Sequence, residues 1–303
     1  MNNESAFSHL HPLTLMLWFS FILCATVLTT NPAIALLSLF AASLHRALTV
    51  GVKPRQVALM AVFMLAVTLL NPLFSHHGVT VLFFLGGLPI TREALLFGAF
   101  MSVLCAAAVL WCSSLSLCMT SDKVIYLFGR PFPKLAVLLS LTLRLIPLFL
   151  SEYKRMMEVR KACGLYDSSS LFGRARSSLT VFSALVTMIL EDSVDTADSM
   201  RSRGVELKGR TAYSEYRFRR GDLLTAAVTA AALVFVVRSG AGGYLGFSFY
   251  PSVTELPLNS AAVASYIFFG AAALVPSITE VSLWRRLNLT ACASDIPTAK
   301  NTL

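Results

Sequence analysis

Long apolar runs broken by short polar stretches dominate the chain. Six runs, at about 13–30, 32–48, 56–74, 94–118, 222–238 and 260–283, approach the ~20 residues that a helix needs to cross ~30 Å of hydrocarbon. They lack the ten-residue alternation of membrane strands, so helices are predicted. Asn31-Pro32 divides the first two runs, because proline inside a helix removes a donor and clashes with the preceding turn. That pair reads either as two helices or as one kinked or re-entrant unit. Between about 135 and 221 the pattern changes. Apolar runs at 135–150 and 179–190 are embedded in charge, and 14 of the 25 Lys and Arg residues fall between Arg144 and Arg220. A segment this charged cannot cross a bilayer whole, so it is predicted to form long amphipathic helices at the inner interface.

Composition agrees. The 303 residues are 56% hydrophobic and 14% charged, with mean hydropathy +0.69, whereas soluble domains carry about 25% charged residues. In hydrocarbon every backbone N–H and C=O must be paired internally, which leaves helices or a closed barrel. The expected fold is an all-α polytopic membrane protein with about five or six transmembrane helices. Its expected divisions are 1–134, 135–221 and 222–303.

The net charge of +9 is explained by topology rather than by nucleic acid, since no aromatic-basic motif or basic arm is present. Arg46, Lys53 and Arg55 place one loop inside, Lys123, Arg130 and Lys134 another, and Arg285 and Arg286 the tail. The 75–92 loop, with Arg92 as its single Lys or Arg, then lies outside, and both termini are expected in the cytoplasm. No Lys or Arg precedes Arg46, so a cleaved signal peptide is not expected. The cysteines Cys24, Cys105, Cys112, Cys118, Cys163 and Cys292 form no CxxC pair and read mostly as buried thiols.

Two related phrases end charged helical stretches: Arg160-Lys161-Ala162-Cys163-Gly164 and Arg201-Ser202-Arg203-Gly204. Gly164 and Gly204 read as helix C-cap positions. Arginine beside a helix C-terminus meets a favourable dipole end, and its planar donor fork suits a partner's carboxylate. The plainer reading of Arg203 is a solvated side chain worth under about 1 kcal/mol. Four further phrases stand in order around this pair: His11-Pro12-Leu13-Thr14; Asn71-Pro72-Leu73-Phe74-Ser75-His76-His77-Gly78; Ile90-Thr91-Arg92-Glu93; and Leu141-Thr142-Leu143-Arg144-Leu145-Ile146-Pro147 with Glu152.

Together, over about residues 11–238, these phrases resemble the transmembrane (T) component of energy-coupling factor transporters, the EcfT/CbiQ-like family. The resemblance implies two coupling helices, each ending in an Ala-Arg-Gly-like signature that docks on one of two ATPases of the ABC type. It also implies a separate small substrate-binding membrane subunit (S component), vitamin or metal-ion uptake, and a place in the bacterial cytoplasmic membrane. ATP and Mg²⁺ would sit on the ATPase subunits, and this chain would be no enzyme and hold no cofactor or metal. The implied ATPase-coupling residues are Arg160, Lys161, Ala162, Cys163 and Gly164 with Arg201, Ser202, Arg203 and Gly204. The first signature departs from the pattern, since Cys163 stands where the family has arginine.

Other features carry less. Glu191, Asp195 and Asp198 share one helix face, either clasped to Arg174 or Arg176 or simply solvated. Arg144 lies in an apolar run, where an ionisable group is costly unless it snorkels or pairs, for instance with Glu152. His76 and His77 are neighbours and read as surface loop rather than as a metal site. His45 reads as an interfacial side chain. Gly204–Thr211 nearly spells a P-loop, but Arg210 stands where lysine is required and a helix precedes it. No acid or lysine within a span is taken to mark a solute path. Ala106, Ala107 and Ala108 suit close helix approach, to a partner or internally. The alternative reading is a permease subunit of a conventional ABC importer, with Glu158 and Gly164 at matching spacing, but the double alanine and the downstream phrase are missing. An intramembrane enzyme lacks its Gly-x-Ser-x-Gly or HExxH phrase.

Overall fold

The computed structural model describes residues 6–74, 80–85, 88–129, 131–166, 170–205, 216, 218, 220–249, 254, 257 and 259–294. Its elements run α1 (Pro12–Leu28), α2 (Pro32–Thr49), α3 (Pro54–Phe74), β1 (Val81–Leu85), β2 (Leu88–Thr91), α4 (Arg92–Cys118), α5 (Ser121–Gly129), α6 (Pro133–Ala162), α7 (Leu171–Ser202), α8 (Arg220–Ala241) and α9 (Ser260–Ser294). A short 3-10 turn, Ala6–His9, precedes α1. The chain divides into two compact units, one built from 1–120 and 216–303 and the other from 121–215.

The protein is an α-helical, multi-pass membrane protein, as expected. The six expected spans are α1–α4, α8 and α9. Seven described helices are long and apolar enough to cross a membrane, and these include α6 and α7, while α1 is shorter at 17 residues. The difference arises because α6 and α7 are each apolar over one stretch and charged over another. A small departure from all-α is the antiparallel β1–β2 hairpin, which pairs Leu85 with Leu88 and Val81 with Thr91 across one irregularity.

Asn31-Pro32 separates two helices. Asn31 is the buried N-cap of α2: its Oδ1 accepts from Ala33 N at 3.0 Å and its Nδ2 donates to the Tyr266 hydroxyl at 2.7 Å. Proline takes the first helical position, where its missing N–H costs nothing. α4 begins in a similar way. Thr91 Oγ1 accepts from Ala94 N at 3.3 Å, and the Glu93 carboxylate accepts from Thr80 Oγ1 at 2.7 Å, tying the helix to the start of the hairpin. The Ile90–Glu93 phrase is thus a helix cap.

The core of the first unit is aromatic. Phe7, Trp18, Phe19 and Trp111 are fully or almost fully buried and meet edge to face, with Trp18 and Trp111 centroids 5.2 Å apart. Each indole N–H is satisfied, as a buried Trp requires: Trp18 Nε1 donates to Ala272 O at 3.0 Å and Trp111 Nε1 to Ser38 Oγ at 2.9 Å. Small residues let the helices approach. Ala41, Ala42, Ala106, Ala107, Ala272 and Ala273 are all buried, so Ala106 and Ala107 serve internal packing. α3 packs on α4 at Gly98, where a Cβ would lie 2.8 Å from Thr68 O.

Two expectations are corrected. His45 is 1% exposed rather than interfacial. It packs beside Trp111 and Phe7, with its Nδ1 lacking a hydrogen-bond partner. An acid does lie within a span, though not one that marks a path: Glu280 is buried in α9 and accepts from Phe7 N at 3.4 Å. Asp222, in the first turn of α8, is also buried and accepts from His11 N at 2.7 Å. Both carboxylates hold the N-terminal segment rather than line a path. Among the described cysteines, Cys118 is buried, Cys105 is half-buried, and Cys24, Cys112 and Cys163 are exposed, so burial is less general than expected.

Candidate functional site

The second unit is built around two long helices. At ~1.5 Å per residue, the 30 residues of α6 and the 32 of α7 span roughly 45 and 48 Å. α6 starts apolar, runs through Pro147 without ending, and becomes charged from Glu152 onward. α7 starts at Ser170, whose Oγ accepts from Gly173 N at 2.9 Å. It buries a single stripe at four-residue spacing, Gly173, Ser177, Val181 and Leu185. The rest of its apolar surface, including Leu179, Phe182 and Leu190, stays exposed within the unit.

The two signatures end these helices with one and the same hydrogen-bond pattern. At the end of α6, Gly164 N donates to Lys161 O at 3.1 Å and Leu165 N to Arg160 O at 3.1 Å. At the end of α7, Gly204 N donates to Arg201 O at 3.0 Å and Val205 N to Met200 O at 3.2 Å. Both are Schellman caps, which need a left-handed residue at the position after the C-cap. Gly164 supplies φ 70° and Gly204 φ 73°. Cys163 and Arg203 are therefore structural equivalents, each the C-cap residue of its helix.

Around these caps the side chains differ. Lys161, Ala162 and Cys163 are exposed, while Arg160 is half-buried with its Nε enclosed and unpartnered. Lys161 Nζ lies 5.3 Å from the centroid of the Tyr166 ring, within the range of a cation–π contact. Arg201, Ser202 and Arg203 are all exposed, and Ser202 Oγ donates to Ser199 O at 2.8 Å. The second end thus presents a guanidinium at its C-cap where the first presents a thiol. A groove of about 460 Å³ runs between α6 and α7, lined by Glu152, Arg155, Arg160 and Cys163 on one side and by Thr180 and Val181 on the other.

The remaining candidates separate from this site. Arg144 is exposed on α6, and Glu152 meets Arg155 at 4.0 Å, one turn on. Glu191, Asp195 and Asp198 are exposed, as a solvated face requires. Among the described residues, no group of three or more His, Cys, Asp or Glu side chains could hold a metal ion. His76, His77 and the near-P-loop beyond Val205 lie outside the described residues. The apolar residue after each glycine, Leu165 and Val205, belongs to the cap. The recurrence of glycine followed by an apolar residue was the available signal for it.

Comparison with known proteins bears directly on this pair of helices. The model of the CbiQ family, described as cobalt transport protein, matches residues 3–213. The chain belongs to the CbiQ family. Similar proteins include the energy-coupling factor transporter transmembrane protein EcfT of Listeria innocua, 28% identical over 191 residues that cover 58% of this chain and 72% of the relative. A protein named EcfT 1 in Listeria monocytogenes is 26% identical over 59% of this chain and 69% of its own length. The EcfT of Ruminiclostridium cellulolyticum is 27% identical over 109 residues, covering 35% of this chain and 41% of the relative. This CbiQ-family chain is accordingly the T component of an energy-coupling factor transporter, a membrane subunit of a larger complex. The matched residues include α6, α7 and both capped ends.

Proposed function

We propose that this chain couples two ABC ATPases to a separate small substrate-binding membrane subunit for the uptake of a vitamin or metal ion. The matched caps support this reading most strongly. Two long helices finish in identical turns, and each turn holds its C-cap side chain in the open. Glycine caps of this kind are common; these two stand out because both lie within the residues that the CbiQ family model matches. On each, glycine fixes the end of the helix and an exposed residue is offered to a partner. Arg203, always charged and able to form paired hydrogen bonds with a carboxylate, is the stronger contact. ATP and Mg²⁺ reside on the ATPases. Their closing and opening displaces α6 and α7 as stiff levers, and the membrane unit passes the displacement to the substrate subunit. The chain itself performs no catalysis. It lies in the bacterial cytoplasmic membrane with α6, α7 and both termini reaching the cytoplasm, following the inside placement of Arg46, Lys53, Arg55, Lys123 and Lys134.

The test is purification of the native complex from cells carrying the unsubstituted chain or Arg203→Glu. The unsubstituted chain should bring two ATPases and a small membrane protein with it. Arg203→Glu should lose the ATPases or uncouple uptake while the membrane fold survives. Normal complex yield together with normal uptake in Arg203→Glu would remove Arg203 from the mechanism.

A further inference from the structure

The groove of about 460 Å³ between α6 and α7 falls in the usual size range of ligand pockets, and its lining is amphiphilic. Met156, Val159 and Val181 give it an apolar wall, while Glu152, Arg155 and Arg160 give it charge. Arg160 is the informative residue. Its Nε is enclosed and has no hydrogen-bond partner, and a buried donor costs free energy until an acceptor meets it. Arg155 is the opposite case. Its side chain is 78% exposed and meets Glu152 only at 4.0 Å, a contact loose enough to let it turn toward another anion.

We propose that this groove binds the anionic headgroup of a membrane phospholipid, with phosphate oxygens on Arg160 and Arg155 and the adjoining methylenes against Met156, Val159 and Val181. Charge selects an anion. Between Ser151 and Cys163, α6 carries Lys154, Arg155, Arg160 and Lys161 against Glu152 and Glu158. A guanidinium offers two N–H donors side by side, and two oxygens of one phosphate accept them together. Position selects a lipid. Apart from Arg144, α6 is apolar from 135 to 150 and charged from Glu152 onward. In a helix long and apolar enough to cross a membrane, such a change marks the level of the headgroups, where basic residues meet anionic lipid. The groove begins at that level, because Glu152 is part of its lining. Nearby, Leu148, Leu150, Leu179 and Phe182 are each more than half exposed within the unit, a surface that acyl chains can follow out of the groove. A soluble phosphate would use the arginines and leave the apolar wall bare, and a purely apolar occupant would leave Arg160 Nε unmet. A phospholipid meets both. The site needs only this chain and lipid, so it stands independently of the coupling reading.

The test uses the purified full chain in detergent, mixed with dioleoylphosphatidylglycerol, dioleoylphosphatidylcholine or inorganic phosphate, with retained adducts counted by native mass spectrometry. Phosphatidylglycerol should be retained about fivefold better than phosphatidylcholine, the size of one charge contact near a membrane surface, and inorganic phosphate should not displace it. Arg155→Gln and Arg160→Gln should each lower its occupancy about fivefold, and both together should erase the preference. Glu152→Gln, which removes the acid of the lining, should raise it. Lys154→Gln removes a positive charge from an exposed position outside the lining and should keep the adduct. Melting of each variant separates lost folding from lost binding, and should Arg160→Gln unfold the unit, the exposed Arg155 decides. Equal retention of the two lipids, or a loss for Lys154→Gln as large as for Arg155→Gln, would overturn the site. Displacement by inorganic phosphate would overturn the lipid assignment in favour of a free phosphate. None of these results bears on Arg203→Glu and the ATPases, which test the coupling reading alone.

Discussion

Replacing Gly204 by alanine isolates the contribution of a helix end from that of the side chain it presents. Gly204 has φ 73°, and an L-residue with a Cβ pays about 1–2 kcal/mol to adopt that conformation. The substitution leaves Arg203, its charge and the membrane unit unchanged. Its cost falls on the cap, whose two hydrogen bonds from Gly204 N and Val205 N must compete with a frayed last turn. If the ATPases bind only the capped end, the apparent affinity falls with the fraction capped. An energy of that size corresponds to at most about 5- to 30-fold weaker binding. Gly204→Asn should lose less, because asparagine tolerates the left-handed region better than alanine. Gly51 provides the control: it has φ 79°, nothing lies within 4 Å of a Cβ built there, and it sits between α2 and α3. Gly51→Ala should therefore carry a similar backbone cost with no change in ATPase binding. The assay is binding of the purified ATPase pair to the detergent-solubilised membrane complex, with thermal melting of each variant alongside. A loss for Gly204→Ala well beyond about 30-fold, or an equal loss for Gly51→Ala, would refute the reasoning.

The equivalence of the two C-caps gives a second outcome: Cys163→Ser should be tolerated in complex yield, whereas Arg203→Ala should not, and equal severe loss would assign Cys163 a specific contact. Gly98→Ala should lower the melting temperature, since its Cβ would meet Thr68 O at 2.8 Å and Asn71 Cβ at 3.0 Å, and overpacking costs typically about 1–3 kcal/mol; an unchanged or higher melting temperature would contradict the tight α3–α4 contact. Asp222→Ala should destabilise by about 1–3 kcal/mol by leaving the buried His11 N–H unsatisfied, and Asp222→Asn by less, as read by melting in detergent.

The spans were legible because burial in lipid imposes one simple pattern, an apolar run of sufficient length, and Asn31-Pro32 marked its own break. The ends of α6 and α7 were legible because left-handed backbone selects glycine. The flanking charge hid the apolar half of α6: 135–150 reads as part of an interfacial helix, although α6 as a whole is long and apolar enough to cross a membrane. The hairpin was missed within a segment read only as an outer loop, although Val81–Leu85 is rich in residues that favour strands. Glu280 and Asp222 were hidden for a different reason. Their partners, Phe7 N and His11 N, lie 273 and 211 residues away, and a carboxylate paired with a distant backbone N–H leaves no local signature. His45 stood alone in sequence, and only the packing of Trp111 and Phe7 around it shows that it is core.

The proposed engagement of α6 and α7 by ATPases is tested most directly by placing a photo-cross-linking residue at position 203 in the chain as expressed in its own cells. Irradiation should join it to an ATPase subunit, and a probe at the equivalent position 163 should do the same. Adducts only to lipid or to extracytoplasmic proteins, or none at either position, would contradict the account.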